Sequence, residues 1–174
     1  PLPILPLQIL FLNLVTDVFP ALALGVGKGD PNIMERPPRD PEEPVMTRQH
    51  WSGVFGYSAI ISAAVLGSLA IAVRWFGMGE ARAVTVSFLT LAFAQLWHVF
   101  NLPEKPWRNE VTSNLYIWLA LLLCLLITVV AYTVPVISTV LQLQPMTWSL
   151  LGLAFLFSLI PVLLVQLCKF FRLV

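Results

Sequence analysis

Charge is scarce in this sequence. Asp, Glu, Lys and Arg together make up 11% of its 174 residues, and the formal net charge is only +1. It has no basic tract and no interleaving of aromatic with basic residues, so the electrostatic footprint of a nucleic-acid binder is absent and no such partner is expected. Cysteine is scarce as well. Cys124 and Cys168 sit in apolar stretches, away from any CxxC or Cys/His grouping, which excludes a disulfide framework or zinc centre and leaves two packing residues. There is no Ser–His–acid order, metalloprotease motif or phosphate-cradling loop, and Gly25-Val-Gly-Lys28 lacks the spacing of the last. No catalytic residue and no bound cofactor are therefore expected in the chain itself. It opens on Pro1, without a charged leader and cleavage site, and reads as a piece of a longer protein whose upstream part is missing.

Apolar residues are what is abundant. They make up 58% of the chain, and the mean hydropathy is +0.84, whereas soluble domains run at about 45–50% apolar and about 25% charged. A water-soluble core cannot absorb that much apolar surface, so the implied solvent is a bilayer. Five stretches reach the roughly 20 apolar residues a spanning helix needs: approximately 4–24, 53–76, 83–101, 114–134 and 146–168. The expected fold class is all-α, a polytopic membrane bundle of five transmembrane helices. Residues 1–25 form the first helix, 26–52 a polar loop and 53–174 a four-helix region.

The long loop, Gly27 to Trp51, carries Pro31, Pro37, Pro38, Pro41 and Pro44, too many for a helix, with too few apolar residues for a domain. Gly77 to Arg82 and Pro135 to Pro145 read as turns on the opposite side. Asn101 to Thr112 falls on the side of the long loop. Eight of the 10 Lys and Arg residues lie on that side (Lys28, Arg36, Arg39, Arg48, Lys105, Arg108, Lys169 and Arg172), and only Arg74 and Arg82 on the other. The positive-inside rule then makes the long loop and the C-terminus cytoplasmic. Trp51, Trp75, Trp107 and Trp148 near span ends read as interfacial anchors. Ser58, Ser62 and Ser68, with Gly56 and Gly67, read as small-residue packing positions.

Of nine acidic residues, eight are expected in loops and Asp17 alone within a span. A carboxylate there costs about 2.5–3.5 kcal/mol on insertion scales, so a functional role is the default reading. Asn13 and Thr16, four and three residues earlier, fall on its helical face. An amide oxygen, a hydroxyl and a carboxylate together make an all-oxygen half-site of the kind that hard cations such as Ca²⁺ accept. Pro20 cannot donate to the Thr16 carbonyl, so the helix should loosen beside Asp17 and free backbone oxygens. The alternative is a structural bundle in which Asp17 pairs with a buried polar partner or stays protonated.

Three segments make the chain recognisable: Asn13-Leu-Val-Thr-Asp17, Pro20-Ala-Leu-Ala-Leu-Gly25 and Ile33-Met-Glu-Arg-Pro-Pro-Arg39. Residues Pro6 to Arg39 closely resemble the sixth transmembrane helix and following cytoplasmic loop of P-type ATPases of the calcium-pump branch. The later spans resemble helices seven to ten in order and spacing. The resemblance implies that Asn13, Thr16 and Asp17 are cation ligands and that the Ile33 to Arg39 loop contacts the cytoplasmic phosphorylation domain. It further implies that the missing part of the pump, helices one to five and the cytoplasmic domains, is the partner. The remaining partners would be the lipid bilayer and the transported cation. The intact pump would hydrolyse ATP with Mg²⁺ through an aspartyl-phosphate, with Ca²⁺ as the cargo. The position after the aspartate is commonly Gly in reticulum-type calcium pumps and is Val18 here, which leaves the loosening mainly to Pro20.

The third span carries Gln95, His98 and Asn101 at three-residue spacing. The position matching Gln95 in reticulum-type calcium pumps holds a glutamate of a second calcium site. A neutral amide substitutes poorly for a charge that must neutralise a divalent ion, so one cation per cycle is expected. Gln95 and His98 are secondary ligand candidates, equally readable as interhelical hydrogen-bonding residues, and His98 as a countertransport residue. The rival reading is a non-catalytic transporter or scaffold with Asp17 as a proton relay or packing partner. Among cargoes, Mn²⁺, Na⁺ or H⁺ also suit oxygen ligands. Either a bacterial plasma membrane or an internal one could house such a chain.

Overall fold

A computed structural model of the chain describes residues 2–26, 33–35, 37–38, 44, 46, 48–101 and 110–170. Most of the long loop, including Lys28, Arg36 and Arg39, lies outside the described residues, as do Trp107, Lys105, Arg108 and Arg172. The expectation that the Ile33 to Arg39 loop makes a coupling contact falls there too; a short 3₁₀ turn, Ile33–Glu35, is its described part.

The described residues are helical, with no strand among them, and five helices are long and apolar enough to cross a membrane. These are Pro6–Gly25, His50–Arg74, Glu80–Asn101, Leu115–Thr133 and Trp148–Phe170. The first span is built of α1 (Pro6–Leu12), a π-helical segment (Asn13–Asp17) and α2 (Val18–Gly25). Then come α3 (Arg48–Arg74), α4 (Glu80–His98) with a 3₁₀ turn (Val99–Asn101), and α5 (Glu110–Ser113). The chain continues with α6 (Leu115–Thr133), α7 (Pro135–Val140) and α8 (Trp148–Phe170).

Helix α4 is the centre of the bundle. It packs against α8 and α3, and it is the most buried of the five spans. Its buried residues run all round the helix, from Ala83 through Thr85, Ser87 and Phe88 to Leu96, as expected of a helix enclosed on every side. Hydrocarbon tails are as apolar as leucine, so packing rather than water exclusion draws such helices together, and small residues permit close approach. Gly67 of α3 shows this: a Cβ built there would lie 3.1 Å from Phe157 Cε1 of α8. Ser68 is buried, bonds the Val65 carbonyl and accepts from Thr90 at 3.1 Å. Gly56, Ser58 and Ser62 of the same helix are exposed in this chain, so small-residue packing holds only for the Gly67–Ser68 end.

The first span packs mainly on α6 and joins the two halves of the core. Leu12 belongs to a cluster with Leu69, Phe88, Leu89 and Leu150. Val15, three residues on, belongs to a second cluster with Leu96, Ile117, Leu121 and Cys124. Phe11 packs against both.

Three boundaries differ from the sequence expectation. Residues 135–140 form a short helix instead of an open turn, because Pro135 occupies its first position, where a missing N–H costs nothing. Gln142 then reverses the chain with φ of 54°. Glu80 is not a loop residue but sits in the first turn of α4, where an acid is favoured by the helix dipole. Helix α3 begins at Arg48, which takes Trp51 into its first turns.

Candidate functional site

The residues from Leu12 to Pro20 set up the site. In an α-helix the Thr16 carbonyl would accept from the backbone N–H of residue 20, and proline has none. The structure resolves this by widening the turn: Asn13–Asp17 adopt π-helical geometry, and α-helix resumes at Val18. Pro20 then stands in the first turn of the new helix, where a missing donor is tolerated. The expected loosening is therefore a π-bulge within a continuous span. Such bulges are frequent at functional sites.

The bulge sends its polar side chains two ways. Thr16 is buried at 4% exposure, while Asn13 and Asp17 are exposed on the outer side of the span. The Thr16 hydroxyl lies 2.8 Å from the Leu12 carbonyl, 3.0 Å from Gln95 Oε1 on α4 and 3.4 Å from Asp17 Oδ1. A hydroxyl has one proton to donate. Gln95 Oε1 and Asp17 Oδ1 both face that one proton, so side-chain oxygens outnumber protons at this hydroxyl, where the first span meets α4.

Gln95 is thus brought to Thr16, whose hydroxyl Asp17 also approaches. His98 is directed elsewhere: its ring meets Tyr57 of α3 edge-on at 5.2 Å between centroids. Asn101, the third member of that spacing, is 1% exposed and accepts from Gln166 Nε2 at 3.0 Å. Its carbonyl accepts from Lys169. No group of three His, Cys, Asp or Glu side chains suited to a metal is present among the described residues. The cluster at the bulge is instead a mixed set of hydroxyl, amide and carboxylate oxygens, the chemistry of hard-cation sites.

Two contacts of the first span were not anticipated from sequence. Gln8 is fully buried; its Oε1 accepts from the Leu5 N–H at 3.0 Å and its Nε2 donates to the Leu141 carbonyl at 2.9 Å. Cys124 of α6 donates its thiol to the Val15 carbonyl at 3.0 Å. In Gln8 the available signal was an amide set in a leucine-rich helix turn; for Cys124 there was none beyond burial in an apolar run.

Comparison with known proteins adds an independent line. Residues 1–171 match the family described as Cation transporting ATPase, C-terminus. A calcium-transporting ATPase of Bacillus subtilis is 34% identical over 155 residues, which cover 86% of this chain and 17% of that protein. Calcium-transporting ATPase 1 of Bacillus cereus is 29% identical over 190 residues, 96% of this chain and 21% of that protein. A calcium-transporting ATPase of Listeria monocytogenes is 33% identical over 125 residues, 70% of this chain. The chain thus spans about one fifth of the length of the first two relatives.

Proposed function

The chain belongs to the family of cation-transporting ATPase C-terminal regions, and from that premise we propose that it is the membrane part of an ATP-driven pump whose cargo is Ca²⁺. It is an integral membrane, multi-pass region. Its contribution is scaffold and part of the cation site; ATP hydrolysis with Mg²⁺ belongs to cytoplasmic domains of the intact pump.

The observation that carries this reading is the surplus of oxygens at the π-bulge. The single Thr16 proton cannot serve Gln95 Oε1 and Asp17 Oδ1 together, and a cation beside Thr16 and Asp17 would satisfy the oxygen that the proton does not. Asn13, Thr16 and Asp17 are the ligands, and Gln95 contributes a neutral oxygen from α4. With an amide and not an acid at residue 95 of α4, one Ca²⁺ is carried per cycle. Asn13 and Asp17 are exposed here, which suits ligands completed by oxygens from other helices of the pump, since Ca²⁺ takes 6–8 of them. His98, against Tyr57, acts apart from the ion. The long loop and the C-terminus face the cytoplasm, on the distribution of Lys and Arg.

Phosphorylation of the intact pump by ATP, measured against Ca²⁺ concentration, tests the reading. Asp17→Asn should raise the Ca²⁺ requirement at least about tenfold, equivalent to ~1.4 kcal/mol. An unchanged Ca²⁺ dependence would remove Asp17 from the site.

A further inference from the structure

The wide turn that serves Thr16 shifts the donor missing at Pro20 to a different carbonyl. In π-helical register a carbonyl accepts from the N–H five residues on. For Val15 that residue is Pro20. Proline thus strips a donor in either register: from Thr16 if the helix is α, from Val15 if it is π. Val15 is 2% exposed, and no water within the hydrocarbon region can serve a bare carbonyl there.

The thiol of Cys124 offers that carbonyl a donor. It reaches Val15 O at 3.0 Å across the interface between α6 and the bulge. Cys124 is itself fully buried, between Ile117, Ala120 and Leu121 of its own helix and Val15 opposite. Its backbone carbonyl accepts from Thr128 at 2.8 Å, so a second polar group lies on the same turn of α6. Val15 precedes Thr16 directly, and a backbone held at residue 15 fixes where the Thr16 hydroxyl and the Asp17 carboxylate begin.

We infer that Cys124 is a positioning residue for the cation site: its thiol, bonded to the Val15 carbonyl, holds the π-bulge in the register that brings Thr16 to Gln95 and sets Asp17 beside them. This rests on the transport reading above. Cys124 touches no ion; it acts through Val15. A purely apolar packing role would be filled as well by a side chain of similar size without a donor, and the two roles separate on that point.

The test uses the full-length pump with Ca²⁺ as the probe, comparing Cys124→Val, Cys124→Ala and Cys124→Ser. Half-maximal Ca²⁺ concentration for phosphorylation is read alongside thermal stability in detergent. Removing a buried donor should raise the half-maximal Ca²⁺ concentration about two- to tenfold in the valine and alanine variants. Serine, which keeps a donor, should stay within about twofold of the native pump. Alanine leaves space where valine fills it, so the pair keeps the test informative if one variant folds poorly. Shifts in stability with unchanged Ca²⁺ dependence overturn the inference, as does a serine variant impaired as much as valine. A native pump that does not respond to Ca²⁺ defeats the transport reading and this inference with it. A responsive native pump with three unaltered variants defeats only the inference.

Discussion

Thr16 in the first span and Gln95 in α4 meet at 3.0 Å between hydroxyl and amide oxygen, the point at which the π-bulge is joined to the most buried helix of the bundle. The pair sits 79 residues apart in sequence, and each side chain has a second reason to be there. Thr16 also bonds back to the Leu12 carbonyl, and Gln95 brings an oxygen where an acid would bring a charge.

A double-mutant cycle follows from this contact. Thr16→Val keeps the shape and deletes the hydroxyl, and Gln95→Leu deletes the amide. Each should raise the half-maximal Ca²⁺ concentration for phosphorylation about three- to tenfold, matching a hydrogen bond of roughly 0.5–1.5 kcal/mol. Because both changes remove the same contact, the double variant should fall short of the summed effects. Equilibrium binding of radioactive Ca²⁺ to the native pump should give one ion per phosphorylation site; two would mean that Gln95 does not limit the stoichiometry.

Gln8 makes a stability prediction. Its amide bridges the start of the first span to the Leu141 carbonyl beyond α7, and the side chain is completely enclosed. Gln8→Leu would strand that carbonyl and the Leu5 N–H, each costing on the order of 1–3 kcal/mol if left unpaired. The thermal midpoint of the pump in detergent should fall, with the Ca²⁺ dependence of the surviving fraction unchanged.

The five spans were legible in sequence because they rest on a one-body cost, apolar length; Asp17 was singled out on a cost of the same kind, a carboxylate in hydrocarbon. Pro20 announced a disturbed helix for the same reason. The form of that disturbance was not legible, since loosening and a π-bulge both answer a missing donor and neighbouring helices decide between them. Gln8 and Cys124 escaped notice because their roles depend on carbonyls 133 and 109 residues away. Ser58 and Ser62 share the composition of Ser68, yet only Ser68 faces Thr90. Spacing within one helix could not say which side of α3 would meet α4.

Gly67 separates two opposing effects. Adding a methyl removes the helix penalty of glycine, about 1 kcal/mol, but places it 3.1 Å from Phe157 Cε1. A small tilt of that ring absorbs the contact, so Gly67→Ala should change stability by less than about 1 kcal/mol. Gly67→Leu drives a whole side chain into α8 and should cost about 1–3 kcal/mol through overpacking. Thermal unfolding of the two variants, with pump abundance in membranes, checks the ordering; equal behaviour would show that α3 and α8 are not pressed together at this residue.

The orientation of the bundle can be read from single cysteines. Gly79 precedes α4 and Glu35 lies in the 3₁₀ turn of the long loop; both are exposed. The imbalance of eight cations to two predicts Glu35 inside and Gly79 outside, because cytoplasmic loops retain Lys and Arg. Cys124 is fully buried and Cys168 is half-buried near the C-terminal end of α8, so the native thiols should give little background with a reagent that cannot cross membranes. In intact cells such a reagent should label Gly79→Cys and spare Glu35→Cys until the membrane is opened. The opposite pattern would invert every span, and would put Asn101, Gln166 and Lys169 at the outer face instead of the inner one.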